Sequence, residues 1–238
     1  MIQGKKVLAI IPARGGSKEI KNKNILDICG KPLIAYTIGA AGSSIYIDDV
    51  VVSTDSEQIQ KISEKYGAWV PFLRPAELAE DKTPTLDVVL HAVEALKTKG
   101  YVYDILILLQ PTSPLRIASD IDGALKLFLE HRCRPLAAVS RVEDHPVLIR
   151  TVGADGYMQK LLPMQSTLRR QDMPVYYKIN GSIYINLISE INKRTSFNDN
   201  PVPYIMPDER AVDIDHDVDI VTVQFYLNVY KEEIFHDI

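Results

Sequence analysis

Short apolar runs alternate with longer amphipathic segments along the first 140 residues of the chain. The runs have the length of buried strands and fall at 7–11, 50–54, 105–109 and 136–140, with a shorter one at 69–70. Between them, apolar residues recur at helical spacing and predict helices at 31–43, 55–66, 85–99 and 119–130. Asp55 stands where it would cap the second helix. Strands that alternate with helices in this way predict an α/β fold with a mostly parallel sheet.

The regular alternation stops after residue 140. Residues 142–178 contain glycines, prolines and only short apolar pieces, which indicates an excursion from the core. Apolar runs then predict a strand at 181–186, a short strand at 212–215 and a closing helix at 218–230. We therefore expect a single domain, 1–238, whose core is discontinuous in sequence.

Composition places the chain among globular proteins with a small-molecule substrate. Hydrophobic residues make up 46% of 238 residues, which is enough for one large core. The sequence has no signal-like segment and no apolar run near the ~20 residues of a membrane helix, so we expect a cytoplasmic protein without membrane contact. A net charge of -4 argues against general binding to nucleic acid. Cys29 and Cys133 do not have the spacing of a metal site.

The loop after the first strand combines adjacent glycines with positive charge. Gly15 and Gly16 allow a tight turn that brings backbone N–H groups close to a ligand. Between Arg14 and Lys31 there are five basic residues against two acidic ones, although the whole chain is acidic. The alternative is an ordinary solvated loop with scattered lysines. Its position at the carboxyl end of a strand favours a site for a polyphosphate.

Two common phosphate-binding motifs are absent from this sequence. Gly4-Lys5 and Gly30-Lys31 lack the upstream glycine and the following hydroxyl residue of a P-loop. A Gly-x-Gly-x-x-Gly dinucleotide fingerprint does not occur either. A P-loop kinase and a Rossmann dehydrogenase therefore lose their main support.

The amino-acid sequence of this loop resembles that of a different family. Ala13-Arg14-Gly15-Gly16-Ser17-Lys18, followed by Lys23-Asn24, is similar to the signature loop of the acylneuraminate cytidylyltransferases, which make CMP-activated sialic acids and related nine-carbon sugars. Five further stretches resemble that family in the same order: Ser53–Ser56, Leu73–Ala79, Leu109–Arg116, Tyr177–Tyr184 and Val212–Asp215. The chain departs from the family pattern at Glu19 and Lys21, and at Asp81-Lys82-Thr83.

The resemblance implies a fold, a reaction and partners. It implies a three-layer α/β/α domain of the nucleotide-diphospho-sugar-transferase type, with residues 142–180 as a small projecting dimerisation and sugar-binding element. The implied reaction joins CMP from CTP to the anomeric hydroxyl of a nonulosonic acid and releases pyrophosphate. Mg²⁺ would be the cofactor and a homodimer the assembly. The open alternatives are a nucleotidyltransferase for another keto-acid or phosphosugar and a non-catalytic nucleotide-binding regulator.

The resemblance also implies roles for individual residues. Lys23, Arg14 and Asp215 would be catalytic, with Lys18 as the rival of Lys23. The nucleotide would be bound by Ala13, Arg14, Gly15, Lys18, Asn24, Arg74, Thr83 and Thr85. The sugar would be bound by Gln110, Arg170, Lys178, Asn180, Tyr184 and Phe197. A guanidinium matches a carboxylate bidentately, which suits Arg170 to the sugar carboxylate, but the adjacent Arg169 leaves the register open by one.

An acidic segment near the end of the chain predicts a metal site. Between Pro207 and Asp219 there are six acidic residues against one basic residue. Alternation along the predicted strand would put Asp213 and Asp215 on one face, where two carboxylates and substrate phosphates could hold Mg²⁺. An EF-hand is excluded by Val218 and Gln224, which stand where that loop needs Gly and Glu. Either Asp217 or Asp219 is expected to cap the last helix instead.

Overall fold

The structure is a computed structural model that describes residues 1–165, 167 and 169–230, and the side chain of Arg170 lies outside that description. Its strands are β1 (Val7–Pro12), β2 (Asp27–Ile28), β3 (Lys31–Pro32), β4 (Asp49–Ser53), β5 (Ile105–Leu108), β6 (Leu136–Arg141), β7 (Arg150–Val152), β8 (Met158–Lys160), β9 (Tyr177–Leu187) and β10 (Val202–Ile205). Its helices are α1 (Leu33–Gly42), α2 (Glu57–Lys65), α3 (Thr85–Thr98), α4 (Ala118–Glu130) and α5 (Asp217–Val229).

Six of these strands form one mixed sheet in the order β10-β6-β9-β5-β1-β4. β1 pairs in parallel with β4 and β5, and β10 pairs in parallel with β6. β9 is antiparallel to both of its neighbours, β5 and β6. The prediction of a mostly parallel α/β sheet is therefore confirmed, with one long antiparallel strand inserted in it.

Helices cover both faces of this sheet. Val7, Ala9 and Ile11 of β1 face a core that includes buried side chains of α1, α2 and α4. Leu8 and Ile10 point to the opposite face, which packs on α3. Alternate side chains of a strand point to opposite faces, and here both sets are fully buried. The fold has the three expected layers.

Residues 212–215 do not form the predicted strand, although the structure describes this stretch in full. The backbone N–H of Ile214 donates to the Thr112 carbonyl (2.8 Å), which is one isolated bond rather than a ladder. Thr112 lies in the turn after β5, which offers no extended strand with which residues 212–215 could form a ladder. Ile214 is nevertheless fully buried, as its apolar side chain requires.

Two other local expectations needed correction. Ser56, not Asp55, caps α2, because its side chain accepts a hydrogen bond from the Ile59 N–H (3.4 Å). β10 was missed because it contains Pro203, which lowers strand propensity. The strand lies at the sheet edge, where a missing N–H donor is tolerated.

The segment between β6 and β9 contains the small antiparallel pair β7–β8. β9 already begins at Tyr177, inside the range 142–180 that the sequence assigned to the excursion. The division of the chain into a core and an inserted dimerisation element stays a prediction. Within the part of the chain that the structure describes, the helices lack the length and apolar character needed to cross a membrane.

Candidate active site

Two adjoining cavities open at the carboxyl ends of β1 and β5. The first, of about 550 Å³, is bordered by the basic loop that follows β1, and the second, of about 950 Å³, is bordered by β9. Gln110, Asp213 and Asp215 line both cavities. These three residues therefore mark the place where a ligand in one cavity would meet a ligand in the other.

The loop after β1 is held in place by main-chain contacts. The Ala13 N–H donates to the Ser53 carbonyl at the end of β4 (2.9 Å), and Ala13 is fully buried. The Gly15 N–H donates to Asp55 Oδ1 (2.9 Å). A side chain at Gly15 would bring a Cβ to 3.1 Å from Ser56 Cβ, so the tight approach favours glycine. Asn24 is buried and its Nδ2 donates to the Arg14 carbonyl (3.0 Å), which closes the loop on itself.

Arg14 and Lys18 converge on one carboxylate. Arg14 Nη1 lies 2.8 Å from Asp81 Oδ1, and Lys18 forms an ion pair with Asp81 Oδ2. The hydrogen bond from Lys18, with the charges of Lys18 and Arg14, holds the pKa of the Asp81 carboxyl below its ordinary value. Both cations line the first cavity, so a polyphosphate there would compete with Asp81 for them.

Lys23 joins the basic loop to the acidic segment near the end of the chain. Its Nζ donates to the Ile214 carbonyl (2.7 Å) and lies 3.2 Å from Asp215 Oδ1. The Lys23 side chain is 15% exposed, whereas that of Asp215 is 57% exposed. The predicted catalytic lysine and the predicted metal carboxylates thus lie at the same junction.

Asp213 is a largely buried carboxylate at the junction of the two cavities. Burial, and to a smaller extent the neighbouring charge of Asp215, raise the pKa of the Asp213 carboxyl, while a hydrogen bond with Thr112 and the charge of Lys23 oppose that shift. Its buried Oδ1 has no hydrogen-bond partner among the described residues. Two carboxylates fit Mg²⁺ that is also bound by substrate phosphates. In the described ranges no group of three or more His, Cys, Asp or Glu side chains could hold a metal ion.

The segment that carries these carboxylates is anchored at both ends. Arg210 Nε and Nη2 donate to the two oxygens of the buried Asp120 of α4, each at 2.9 Å. Asp219 Oδ2 accepts from the backbone N–H groups of Asp215 (2.9 Å) and His216 (2.7 Å). Asp219, rather than Asp217, is therefore the acidic residue that caps α5.

Arg74 is a buried cation that borders the first cavity. It is 6% exposed, and its Nε and Nη2 have no hydrogen-bond partner among the described residues. Asp55 Oδ1 lies 3.8 Å from Nη2, too far for a hydrogen bond. Burial lowers the pKa of Arg74. Thr83 and Thr85 line the same cavity, and Thr83 Oγ1 donates to the Glu77 carbonyl (3.1 Å).

The predicted sugar-binding residues divide into two groups. Gln110, Lys178, Asn180 and Tyr184 line the second cavity. The Tyr184 hydroxyl donates to Asn198 Oδ1 (2.8 Å), and burial, with the Asp213 charge, raises its pKa to about 12.

Phe197 does not join this lining. It is 8% exposed and packs against the Tyr184 ring, with ring centroids 5.9 Å apart, so it supports the wall from behind. The Arg170 side chain is outside the described part of the chain. Arg169, the alternative in the register, is paired with Asp172 (2.8 Å) on the surface.

The sequence analysis did not predict the roles of two acidic residues, Asp81 in the lining of the first cavity and Asp55 beside it. Asp55 was expected to cap α2 but instead orders Gly15 and faces Arg74. Asp81 was noted only as part of a departure from the family pattern. The local sequence contained no signal for this role, because the partners Arg14 and Lys18 lie more than 60 positions away.

A comparison with models of protein families identifies the family to which this chain belongs. Residues 8–207 match the model described as cytidylyltransferase, which covers most of the chain. The chain belongs to the cytidylyltransferase family. The resemblance inferred from the sequence motifs is thereby confirmed.

Relatives that are named as cytidylyltransferases or CMP-sugar synthases align over nearly the whole chain. The CMP-N,N'-diacetyllegionaminic acid synthase of Legionella pneumophila is 33% identical, over 95% of this chain and 98% of that protein. The pseudaminic acid cytidylyltransferase of Campylobacter jejuni is 31% identical, over 97% of this chain and 100% of that protein. The N-acylneuraminate cytidylyltransferase of Escherichia coli O18:K1:H7 is 36% identical over 98% of this chain, which spans 55% of that longer protein.

Solved structures share the fold. A CMP:2-keto-3-deoxy-manno-octonic acid synthetase complexed with CTP superimposes with a TM-score of 0.68 at 18% identity, covering 94% of this chain and 99% of the other. A 4-diphosphocytidyl-2C-methyl-D-erythritol synthase from Anaerococcus prevotii gives 0.63 at 16% identity, covering 95% and 100%. These likenesses support the cytidylyltransferase fold.

Replacing Asp81 by Asn should strengthen polyphosphate binding. The variant keeps the size of the side chain but removes the charge that competes for Arg14 and Lys18, so we expect tripolyphosphate to bind about three- to tenfold more tightly. Isothermal titration without added metal measures this change. Glu80→Gln is the matched control, because Glu80 lines the same cavity but belongs to none of the described ion pairs. Weaker binding by Asp81→Asn would show that Asp81 preorganises the cations rather than competing for them.

Proposed function

We propose that this cytidylyltransferase joins CMP from CTP to the anomeric hydroxyl of a nonulosonic acid and releases pyrophosphate. The observation that carries this proposal is the meeting of the two cavities at Gln110, Asp213 and Asp215. One cavity has a basic loop suited to a triphosphate, and the other has a polar wall suited to a sugar. The names of the three relatives given above contain sugars of this class: N,N'-diacetyllegionaminic acid, N-acylneuraminate and pseudaminic acid.

Such a transfer depends mainly on positioning and on charge. The sugar hydroxyl attacks the α-phosphorus in line with the departing pyrophosphate, so both substrates must be held in one geometry. Arg14, Lys18 and Asn24 would hold the triphosphate on the loop after β1. Lys23 forms an ion pair with Asp215 at the junction, and this position suits it to the charge that develops on the phosphates.

Asp213 and Asp215 are the residues that would hold Mg²⁺. The buried and unpartnered Oδ1 of Asp213 and the adjacent exposed carboxylate of Asp215 fit a hard cation that prefers oxygen ligands. When bound, the ion supplies positive charge that neutralises the phosphate oxygens. Without a cation, the six acidic residues of this segment would repel an anionic nucleotide.

The sugar would lie against β9. Lys178, Asn180 and Tyr184 project from this strand beside Gln110, and together they offer donors for the hydroxyl and acylamino groups of a nonulosonic acid. Asn180 Nδ2 is buried and lacks a partner within the described residues, so it has a free donor for a ligand. Arg170 remains our candidate for the sugar carboxylate.

Turnover with a panel of substrates tests the proposed function directly. We expect pyrophosphate release only when CTP is combined with a nonulosonic acid, such as N-acetylneuraminic, N,N'-diacetyllegionaminic or pseudaminic acid. The other three nucleoside triphosphates and 2-keto-3-deoxy-manno-octonic acid serve as controls. If the protein binds CTP but releases pyrophosphate with no combination of nucleotide and sugar, the proposed enzymatic function is refuted and a nucleotide-binding regulator is favoured.

Lys23→Ala should act on the chemical step. Removal of one cation aimed at developing charge lowers kcat by a factor on the order of 10². Steady-state kinetics with varied CTP and varied sugar separate kcat from the two KM values. Lys21→Ala is the control, since Lys21 belongs to the same loop but is exposed and does not line the first cavity. A change confined to the KM for CTP would contradict a catalytic role.

Asp213→Asn and Asp215→Asn should each abolish transfer at ordinary Mg²⁺ concentrations. Each substitution removes one of the two proposed carboxylate ligands, so the dependence of rate on Mg²⁺ should move to much higher concentration. Circular dichroism of both variants should match that of the parent chain. Asp217→Asn provides the control, because Asp217 lies in the same segment but does not line either cavity. Undiminished turnover in excess EDTA would rule out the metal site.

We further propose that the chain forms a homodimer through the excursion. Between β6 and β9, large apolar side chains are exposed, which is unusual for a surface that meets only water. They include Ile149 (42%), Val152 (71%), Tyr157 (74%), Met158 (75%) and Leu161 (52%). A second copy of the chain would cover them. Because Cys29 and Cys133 are free thiols, we keep the reducing cytoplasm as the proposed compartment.

Charges placed on the β7–β8 pair should therefore dissociate the dimer. In a Val152→Glu, Met158→Glu double variant, two carboxylates would have to be desolvated at the interface, so we expect a monomer. Analytical ultracentrifugation at micromolar concentration measures the mass. Ile45→Glu, at a position that is 72% exposed and far from this segment in sequence, should leave the mass unchanged. A parent chain that is already monomeric would refute the proposal.

A further inference from the structure

Arg116 is the largest fully buried side chain in the described part of the molecule, and it is charged. It follows β5 in the turn that begins at Gln110. Its Nη1 donates to the Ser182 carbonyl (2.7 Å) and to the Gln110 carbonyl (3.3 Å). Its Nη2 donates to Thr37 Oγ1 (2.7 Å), from α1. One guanidinium thus connects the turn after β5, the middle of β9 and a helix.

This guanidinium has no direct counter-ion in the described part of the chain. Within the described residues, no carboxylate lies within ion-pair distance of Arg116, and its Nε has no hydrogen-bond partner. Burial lowers the pKa of Arg116 to about 10, and the more distant charges of Asp120 and Asp213 only partly oppose that shift. A buried charge that is not paired opposes folding, and an apolar side chain of similar size would fill the space at lower cost. Stability therefore does not account for an arginine here.

The two carbonyls that Arg116 binds lie beside the junction of the cavities. Gly181 precedes Ser182 and has φ +75°, and a Cβ at this position would lie 2.6 Å from Gln110 Oε1. The Gln110 amide is thus packed directly over the Gly181 backbone. Gln110 lines both cavities, and the neighbouring Asn180 lines the second. The relative position of these side chains depends on how the turn after β5 is held against β9.

We propose that Arg116 is a positioning residue that fixes Gln110 against the Gly181–Ser182 segment of β9, and thereby sets the geometry of the sugar side of the junction. The inference rests on the proposed function for the identity of the sugar. The positioning of Gln110 by Arg116 does not depend on the proposed function, because this contact is present without any ligand. Arg116 touches neither cavity and is not a catalytic residue.

Hydrogen–deuterium exchange of the free protein tests the structural content. Arg116→Lys keeps the charge but loses the planar fork that reaches both carbonyls and Thr37. We expect faster exchange in peptides that cover 110–116 and 180–184, with unchanged exchange in β1 and β4. Unchanged exchange at 110–116 and 180–184 would overturn the proposal. If Arg116→Lys does not fold, Thr37→Val removes one acceptor of the guanidinium at nearly constant volume, and the same two outcomes apply to it.

Kinetics with CTP and the preferred nonulosonic acid test the consequence. We expect Arg116→Lys to raise the KM of the sugar about tenfold while the KM of CTP changes less than about twofold, because a displaced contact group misplaces the sugar. Thr37→Val should show the same split with a smaller change. A merely structural role would lower the active fraction and leave both KM values unchanged, which would overturn the proposal. If the parent chain turns over no nonulosonic acid but the exchange pattern is as expected, the proposed function fails and the positioning role stands.

Discussion

The contact between Lys23 and the acidic segment is the interaction on which the site depends. Lys23 lies in a basic loop near the start of the chain, and its Nζ binds the Ile214 carbonyl and Asp215 almost 200 residues later. It brings a cation into a segment whose acidic residues would otherwise repel one another and any anionic nucleotide. The bond to the Ile214 carbonyl also fixes the main chain between Asp213 and Asp215. A single lysine thus connects the basic loop, the proposed phosphate-binding side of the site, to the carboxylates.

Charge balance governs the rest of the first cavity. Arg14 and Lys18 share Asp81, Arg74 faces Asp55, and Arg210 binds Asp120 behind the acidic segment. These pairs are not equivalent. Asp120 is buried and makes two hydrogen bonds of 2.9 Å, so it acts as an anchor, whereas Asp81 is partly exposed and can be displaced. A partly exposed pair of the second kind suits the proposed exchange of a protein carboxylate for a ligand phosphate.

The inserted antiparallel strand provides the second cavity. In a purely parallel sheet, the strand next to β5 would also end at the carboxyl edge of the sheet. The residues in the first half of that strand would then lie far from this edge and from the site. β9 runs in the opposite direction, with Leu108 opposite Tyr184, so its first half lies beside the turn that begins at Gln110. Arg116 holds the two together. The sugar side of the proposed junction is therefore a consequence of strand direction.

The sequence by itself determined the buried strands, most of the helices, the basic loop with its two glycines, and the motifs that identify the family. These features are local: apolar periodicity, glycine and charge are read within a few neighbouring residues. Tertiary structure alone decided that β9 is antiparallel, that 212–215 is not a strand, and that Phe197 lies behind Tyr184. It also decided the partners of Asp55, Asp81 and Arg116. Apart from the bond of Arg116 to Gln110 within one turn, these contacts join residues that are more than ten positions apart in sequence. They therefore depend on how the chain is folded rather than on the local order of its residues.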